Sequence, residues 1–487
     1  MKLPLTSGAY QAASIIASSQ RSVNLYGEQN PEGSEFPFTF YPTPGLILRG
    51  TAPQSGYRGA YVASSGDLFV CVGFGIYQVL SDFTFKMLGT IGTSGTPVSM
   101  RDNSVTLVIV DGSTSGYTVD LVTHAWSAIG VGATDNDGDT TGGATSSAFY
   151  GSDRVDFVDT FLVFNKPASA VFYLSDSVAV TFDPLYFAAK SGNPDALVAA
   201  VVLDRYIWLF GQMTTEVFYN SGAADFPFER EPGVFIQHGS AAKYSFAQTD
   251  NSIYWVAQNP QGRGIIMRTD GMSALRISTH ALEQEIQGYA RIDDAIGYTH
   301  QMNGHLFYVV TFPTADKTWA FDLATGQWNE RLWMDTDGSL HRHRGACYAF
   351  WNGKALMGDW ENGNLYEMTP DAVDDAGAPM IHIRSFPDMC NDGARLFFRE
   401  FIADMQVGAG LEASDVDPQV RLRWSDDRGA SWGNPIMSSL GKTGETLTSI
   451  QFQRLGMARH RVFELSWSAP VRTALNGAYV QVRSGSQ

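Results

Sequence analysis

From Tyr57 onward the chain repeats one pattern of apolar and polar positions: a polar turn, four to seven β-formers, a second turn and four more. The pattern recurs in GDLFVCVGFGIYQVL, NSVTLVIVDGSTSGYTVDLVTHAW, DTFLVFNKPASAVFYLSD, DRYIWLFGQMTTEVFYN, NSIYWVAQNPQGRGIIMRTDG, GHLFYVVTFPTADKTWAFDLATGQW and GKALMGDWENGNLYEM. These units start roughly 40 to 50 residues apart, the spacing of propeller blades that are each a four-stranded sheet. In each unit the first strand is nearly all apolar, as an inner strand buried on both faces requires. The pattern therefore predicts an all-β fold, with a propeller of about six to seven divergent blades over residues 51–379. A set of β-sandwiches has the same short strands and Gly-rich turns; the maintained period favours the propeller.

Ahead of the repeats, residues 1–50 read as an extended N-terminal arm. Gly, Pro and Ser are frequent there, and RSVNLYGEQNPEGSEFPFTFYPTPGL alternates short apolar runs with turn dipeptides. Such an arm is expected to cross to a neighbouring chain or to complete a sheet edge. On the first reading, deleting residues 1–29 impairs oligomerisation rather than folding. Helix is scarce, and the best candidate is 278–288: Ser278 or Thr279 caps it, Glu283 sits in its first turn and Gly288 ends it. Over residues 380–487 the strands lengthen and charges alternate with apolar residues, as in MIHIRSFPDMCNDGARLFFREFIADMQVG and VRLRWSDDRGASWGNP. That texture predicts an additional C-terminal antiparallel β module with one wet and one buried face.

Composition narrows the class. At 487 residues the chain can bury a large core, and its apolar and aromatic content is that of a globular protein. No run of ~18 apolar residues suits a membrane helix. The N-terminal stretch AASIIA is too short and too polar for a signal peptide. Cys71, Cys347 and Cys390 have no paired spacing, which points to synthesis in a reducing compartment without a disulfide framework. The net charge of −17 disfavours a general nucleic-acid binder, because neutralising phosphates takes clustered Lys and Arg. The acidity is uneven: residues 380–487 hold 12 Lys/Arg against 11 Asp/Glu, and the remainder holds 21 against 39.

Few residues suggest chemistry. Asp135, Asp137 and Asp139 in DNDGDTTGG have the carboxylate density of a Ca²⁺ loop, but Gly138 and Ser146 stand where that loop needs other spacing and a Glu. A solvated acidic loop is the plainer reading. HRHRGAC offers His341, His343 and Cys347, yet no second cluster completes a tetrahedral zinc site, so it reads as a basic loop and no metal is expected. His280, His300 and His305, with Asp293 and Asp294, form no recognisable constellation. GRGIIMR lacks the third glycine and the βα setting of a phosphate loop, and no nucleophile elbow or HExxH appears. Ser425-Asp-Asp-Arg-Gly-Ala-Ser-Trp432 resembles the Asp-box of sialidase-like propellers. Its mechanics are structural: Asp427 accepts turn amides, Gly429 takes the left-handed position and Trp432 packs the hairpin.

Several phrases stand together as they do in the tail hub, or packaged-DNA-stabilisation, proteins of short-tailed bacteriophages. They are RSVNLYGEQN, YPTPGL and YRGAYVASSGDLFVCVGFGIYQV; then LFGQMTTEVFYNSG, FPFEREPGVFIQHGSAAKYSFA and RISTHALEQEI; then MGDWENGNLYEM, RLRWSDDRGASWG and FQRLGMARHRVFELSWSAPV. Their order and spacing run the whole length, and the chain resembles that family through the collinear set rather than through one motif. The resemblance implies a non-enzymatic structural protein without cofactors, a β-propeller subunit of a hexameric ring or nozzle beneath the portal and its adaptor ring. It implies that the ring closes or extends the DNA exit channel, retains packaged DNA and anchors tail fibres or spikes, with DNA a partner only in transit. The implied location is the virion tail, after synthesis in the bacterial host cytoplasm. The acidic bulk then suggests a lumen that repels DNA. Arg421, Arg423, Arg454, Arg459 and Arg461 become candidates for intersubunit or adaptor contacts, against their being the wet face of a sheet. A sialidase-like propeller acting on or binding glycans is the alternative.

Overall fold

A computed structural model describes residues 1–487 except 6, 15–17, 94, 130–147, 194, 224, 410–416 and 486–487. The acidic loop with Asp135, Asp137 and Asp139 lies outside the described residues. The apolar units fold as hairpins that group into seven antiparallel sheets. In chain order the innermost strands are Tyr57–Val62, Ser99–Asp102, Val155–Val158, Leu197–Leu203, the pair Gly239–Ser240 and Ala247–Thr249, Ile296–Met302 and Gly345–Trp351. Each touches its neighbour's blade in sequence and the last touches the first, which closes a seven-bladed propeller. The second strands are buried on both faces: all five residues of Leu68–Val72 are buried.

Local chemistry explains the blades' regularity. In blades four to seven the first hairpin closes on two residues with positive φ: Asp204–Arg205, Asp250–Asn251, Asn303–Gly304 and Asn352–Gly353. That is the type I′ turn, whose twist matches the strands and which Asn, Asp and Gly accept most readily. Each of the seven gaps between blades then holds its own hydrophobic cluster. The helix His280–Gln287 fills the gap between blades five and six with Leu282 and Ile286; Thr279 Oγ1 accepts from the Leu282 amide, and Gly288 caps its end.

The N-terminal segment is built into its own chain. Gly45–Thr51 pairs antiparallel with Asn364–Thr369 and is the outer strand of blade seven, so the ring is closed by residues more than 300 positions apart. Leu25–Gln29, Phe38–Pro42 and Lys2–Pro4 join Leu475–Ser484, Leu396–Met405 and Ile450–Ala458 in one sheet of a C-terminal β-sandwich. The facing sheet holds His382–Ser385, His460–Trp467, Gln419–Ser425 and Ile436–Ser439. Ser22–Val23 continues that sheet into the propeller, pairing parallel with Gln327–Glu330 of blade six and antiparallel with His382–Ser385. One ten-stranded sheet thus runs from propeller to sandwich. Leu3, Leu5, Val23, Leu25 and Tyr26 are each 4% exposed or less, so removal of residues 1–29 strips core from the same chain. The expectation that such a deletion spares folding is therefore revised.

Candidate functional site

The joint between propeller and sandwich is built around buried polar side chains. Asn24 follows the bridging strand with φ +52 and is 1% exposed. Its Nδ2 donates to the carbonyls of Leu332 and Ile381, both at 2.8 Å, and its Oδ1 accepts from the Leu332 amide at 2.9 Å. A short carboxamide that tolerates left-handed backbone suits this place, and Asn is the residue that supplies both. Beside it the Arg384 guanidinium, fully buried, has no acidic partner among the described residues. It donates to the carbonyls of Ser7, Gly8 and Arg21 and lies 4.6 Å from the Phe40 ring centroid. Desolvation pushes its pKa down to about 9. Three N-terminal carbonyls are thereby clamped by a residue of the sandwich. In RSVNLYG and IHIRSF the only signal was a polar residue inside an apolar run.

Along the propeller axis the inner strands leave a cavity of about 220 Å³ lined by Arg58, Arg154, Tyr244, Tyr298 and Tyr348 among others. Arg58 is spent on loop carbonyls, donating to Gly73, Thr93 and Thr96. Arg154 donates to the Lys243 carbonyl, and burial lowers its pKa against the pull of Asp156. The volume is below the ~300 Å³ at which small-molecule pockets begin.

The histidines do not converge on chemistry. His300 is buried with its Nε2 accepting from Arg331 Nη1 at 2.8 Å, and burial with Arg331 and His343 nearby holds it neutral. His343, placed in a basic loop by sequence, is also buried, its pKa pushed down to about 3 chiefly by desolvation. His341 pairs with Asp316 at 2.8 Å, His305 with Asp322 at 2.9 Å, and His280 Nδ1 lies 3.3 Å from Arg276. Asp293 pairs with Arg291, and Asp294 accepts from Thr314. His341, His343 and Cys347 gather no ligand set, and burial raises the Cys347 thiol to about 12. Among the described residues the one group within metal-ligand reach is Asp388, Cys390 and His460, whose donor atoms lie within 4.8 Å of one another. Arg428 contacts His460 Nε2 at 2.7 Å and Asp388 at 3.4 Å, so a cation of the chain already serves those donors.

The Asp-box motif closes a hairpin of the sandwich. Ser425 Oγ donates to Asp427 Oδ1 at 2.6 Å and accepts from the Gly429 amide at 2.7 Å, while Asp427 also accepts from the Ser431 amide. These donors hold the Asp427 carboxyl well below the usual range. Gly429 has φ +108 and the Trp432 ring lies 4.8 Å from Arg423. The arginines divide. Arg461 is 2% exposed, paired with Asp426 at 2.6 Å and stacked on Phe398 and Trp424. Arg423 pairs with buried Glu464 at 2.7 Å. Both are engaged within their own chain, Arg461 fully buried and Arg423 partly exposed. Arg421, Arg454 and Arg459 are exposed, with no ion pair among the described residues.

A closed propeller sealed by its own N-terminal strand and continued into a sandwich defines a two-part β-propeller protein. Family models for bacteriophage P22 Gp10 match both parts, the β-propeller over residues 1–373 and the β-sandwich over 382–483. The chain belongs to the bacteriophage P22 Gp10 family, structural tail proteins of short-tailed phages. Its structure is similar to the WD40 β-propeller domain of Doa1, at 11% identity and TM-score 0.40, covering 66% of this chain and 97% of that one. It is likewise similar to the N-terminal domain of Nup159, at 10% identity and TM-score 0.40, covering 72% and 99%. No curated protein matches it in sequence.

Proposed function

We propose that the chain is the ring-forming tail hub, or nozzle, subunit beneath the portal and its adaptor ring. In this reading the ring closes or extends the DNA exit channel, retains packaged DNA and anchors tail fibres or spikes. The observation that carries it is the family match across propeller and sandwich together. The narrow cavity on the propeller axis, with arginine and tyrosine side chains in its lining, is consistent with a channel formed between chains. No helix of the described residues is long and apolar enough to cross a membrane. Arg421, Arg454 and Arg459 are the exposed cations on offer to a neighbour or adaptor. The surplus of acids outside residues 380–487 suits a lumen that does not hold phosphates.

The test is DNA retention. Phage heads filled in the absence of this chain are expected to leave their DNA open to added nuclease, and added purified chain restores protection. Heads that keep their DNA without it contradict the retention role.

A further inference from the structure

In this acidic protein the arginines without partners are concentrated in one place. The side chains of Arg395, Arg399, Arg421, Arg454, Arg459 and Arg483 make no ion pair, hydrogen bond or ring contact with any described residue. All six belong to the sandwich. Four of them surround an exposed apolar pair. Phe397 stands opposite Met457 on one side and Arg483 on the other, so the three side chains share the outer face of the sheet. Phe397 is 48% exposed and Met457 42%. Arg395 and Arg399 flank Phe397 two positions away on either side, and Arg459 follows Met457 by two; all are exposed. Clustered guanidinium groups repel one another inside a Debye length of ~8 Å. An aromatic and a methionine ringed by arginines has the composition of a protein-binding core.

The propeller carries the complement. A groove of about 390 Å³ between blades four and five has Leu203, Tyr206 and Met272 in its lining with Asp204, Asp250 and Asp270. These aspartates have no ion pair among the described residues; Asp204 accepts only from Asn251 Nδ2, at 2.8 Å. Arg268 is the one cation in that lining, against three aspartates. Patch and groove are thus opposite in charge, each combines apolar with charged side chains, and they sit on different parts of the chain. A contact between unlike surfaces repeats from copy to copy and closes a ring when the rotation allows.

We propose that the Phe397–Met457 patch docks into the Asp204–Asp250–Asp270 groove of a second copy of this chain. This rests on the ring-forming reading and names its repeating contact. Full-length chains are compared by sedimentation velocity, with and without the adaptor ring: wild type, a patch variant (R395E/R483E) and a groove variant (D204K/D270K). Each variant alone is expected to associate at least about tenfold more weakly than wild type, since like charges meet across the contact. An equimolar mixture restores assembly, because reversed patch meets reversed groove and the native surfaces meet each other. All the substituted residues line the surface, and unchanged melting confirms the folds. If wild type assembles and the variants assemble equally, or the mixture fails to recover, the pairing is overturned while the ring stands. If wild type never assembles, ring and pairing fall together. Binding of a duplex oligonucleotide that is lost in R395E/R483E reassigns the patch to nucleic acid and also overturns the proposal.

Discussion

Replacing Asn24 by alanine removes the pin between propeller and sandwich. Its side chain makes three hydrogen bonds with backbone groups of Leu332 and Ile381, from a site 1% exposed. Orphaning them costs about 1 kcal/mol each, or about 3 in sum. Alanine at φ +52 adds at least about 1 kcal/mol of backbone strain. Asn24→Ala is therefore expected to lose about 4 kcal/mol, roughly a 10³-fold change in the local opening equilibrium. Asn24→Gly relieves the strain and loses about 3. Asn24→Asp keeps the acceptor for the Leu332 amide but sets a carboxylate against two carbonyls, so it is at least as damaging as alanine. Hydrogen exchange of the Leu332 amide reads the opening directly, and calorimetry shows whether propeller and sandwich still melt together. Equal exchange at Leu332 in wild type and Asn24→Ala, or a glycine variant weaker than the alanine one, would refute the reasoning.

Asp375 is buried beside Asp374 with Arg344 as the opposing charge, and burial lifts its carboxyl to about 7. A raised acid favours the folded state while protonated, so stability is full below the unfolded value of about 4 and declines as pH rises through 7. Asp375→Asn should melt above wild type at pH 8 and level with it at pH 4; a gain confined to low pH contradicts the assignment. Arg461→Met should lower the melting temperature by removing an ion pair, the bond to the Leu455 carbonyl and the ring contacts, at about 2 kcal/mol. Arg459→Glu should leave melting unchanged, and equal losses in both would remove the distinction between them. Deleting residues 1–29 should yield aggregated or unfolded chain by circular dichroism, since five of those residues are buried core. A folded monomer would instead support an arm that serves only a neighbour.

Much of the propeller was legible because its information is local. Apolar second strands such as Leu68–Val72 and turn pairs such as Asn352–Gly353 repeat at blade spacing, and Thr279 and Gly288 bracket the helix as their chemistry dictates. What escaped is long-range pairing. Nothing near Gly45–Thr51 shows that its partner is Asn364–Thr369, because any exposed strand edge accepts any strand. Likewise Ser22–Val23 is too short to carry a pattern, yet it joins the two halves. The burial of Arg461 escaped the sequence for a related reason. In HRVFELSW its neighbours Val462 to Leu465 are all buried, so the strand has no wet face there, and Asp426 with Phe398 covers the arginine. The patch at Phe397 was hidden because its arginines come from three separate stretches of the chain that only the fold brings side by side.

The central claim is that this chain works as a ring. Native mass spectrometry with negative-stain imaging of the purified chain, alone and with its adaptor ring, tests it most directly. A hollow ring of six, or a monomer that forms that ring only on the adaptor, is expected. A monomer indifferent to the adaptor at every concentration would contradict it.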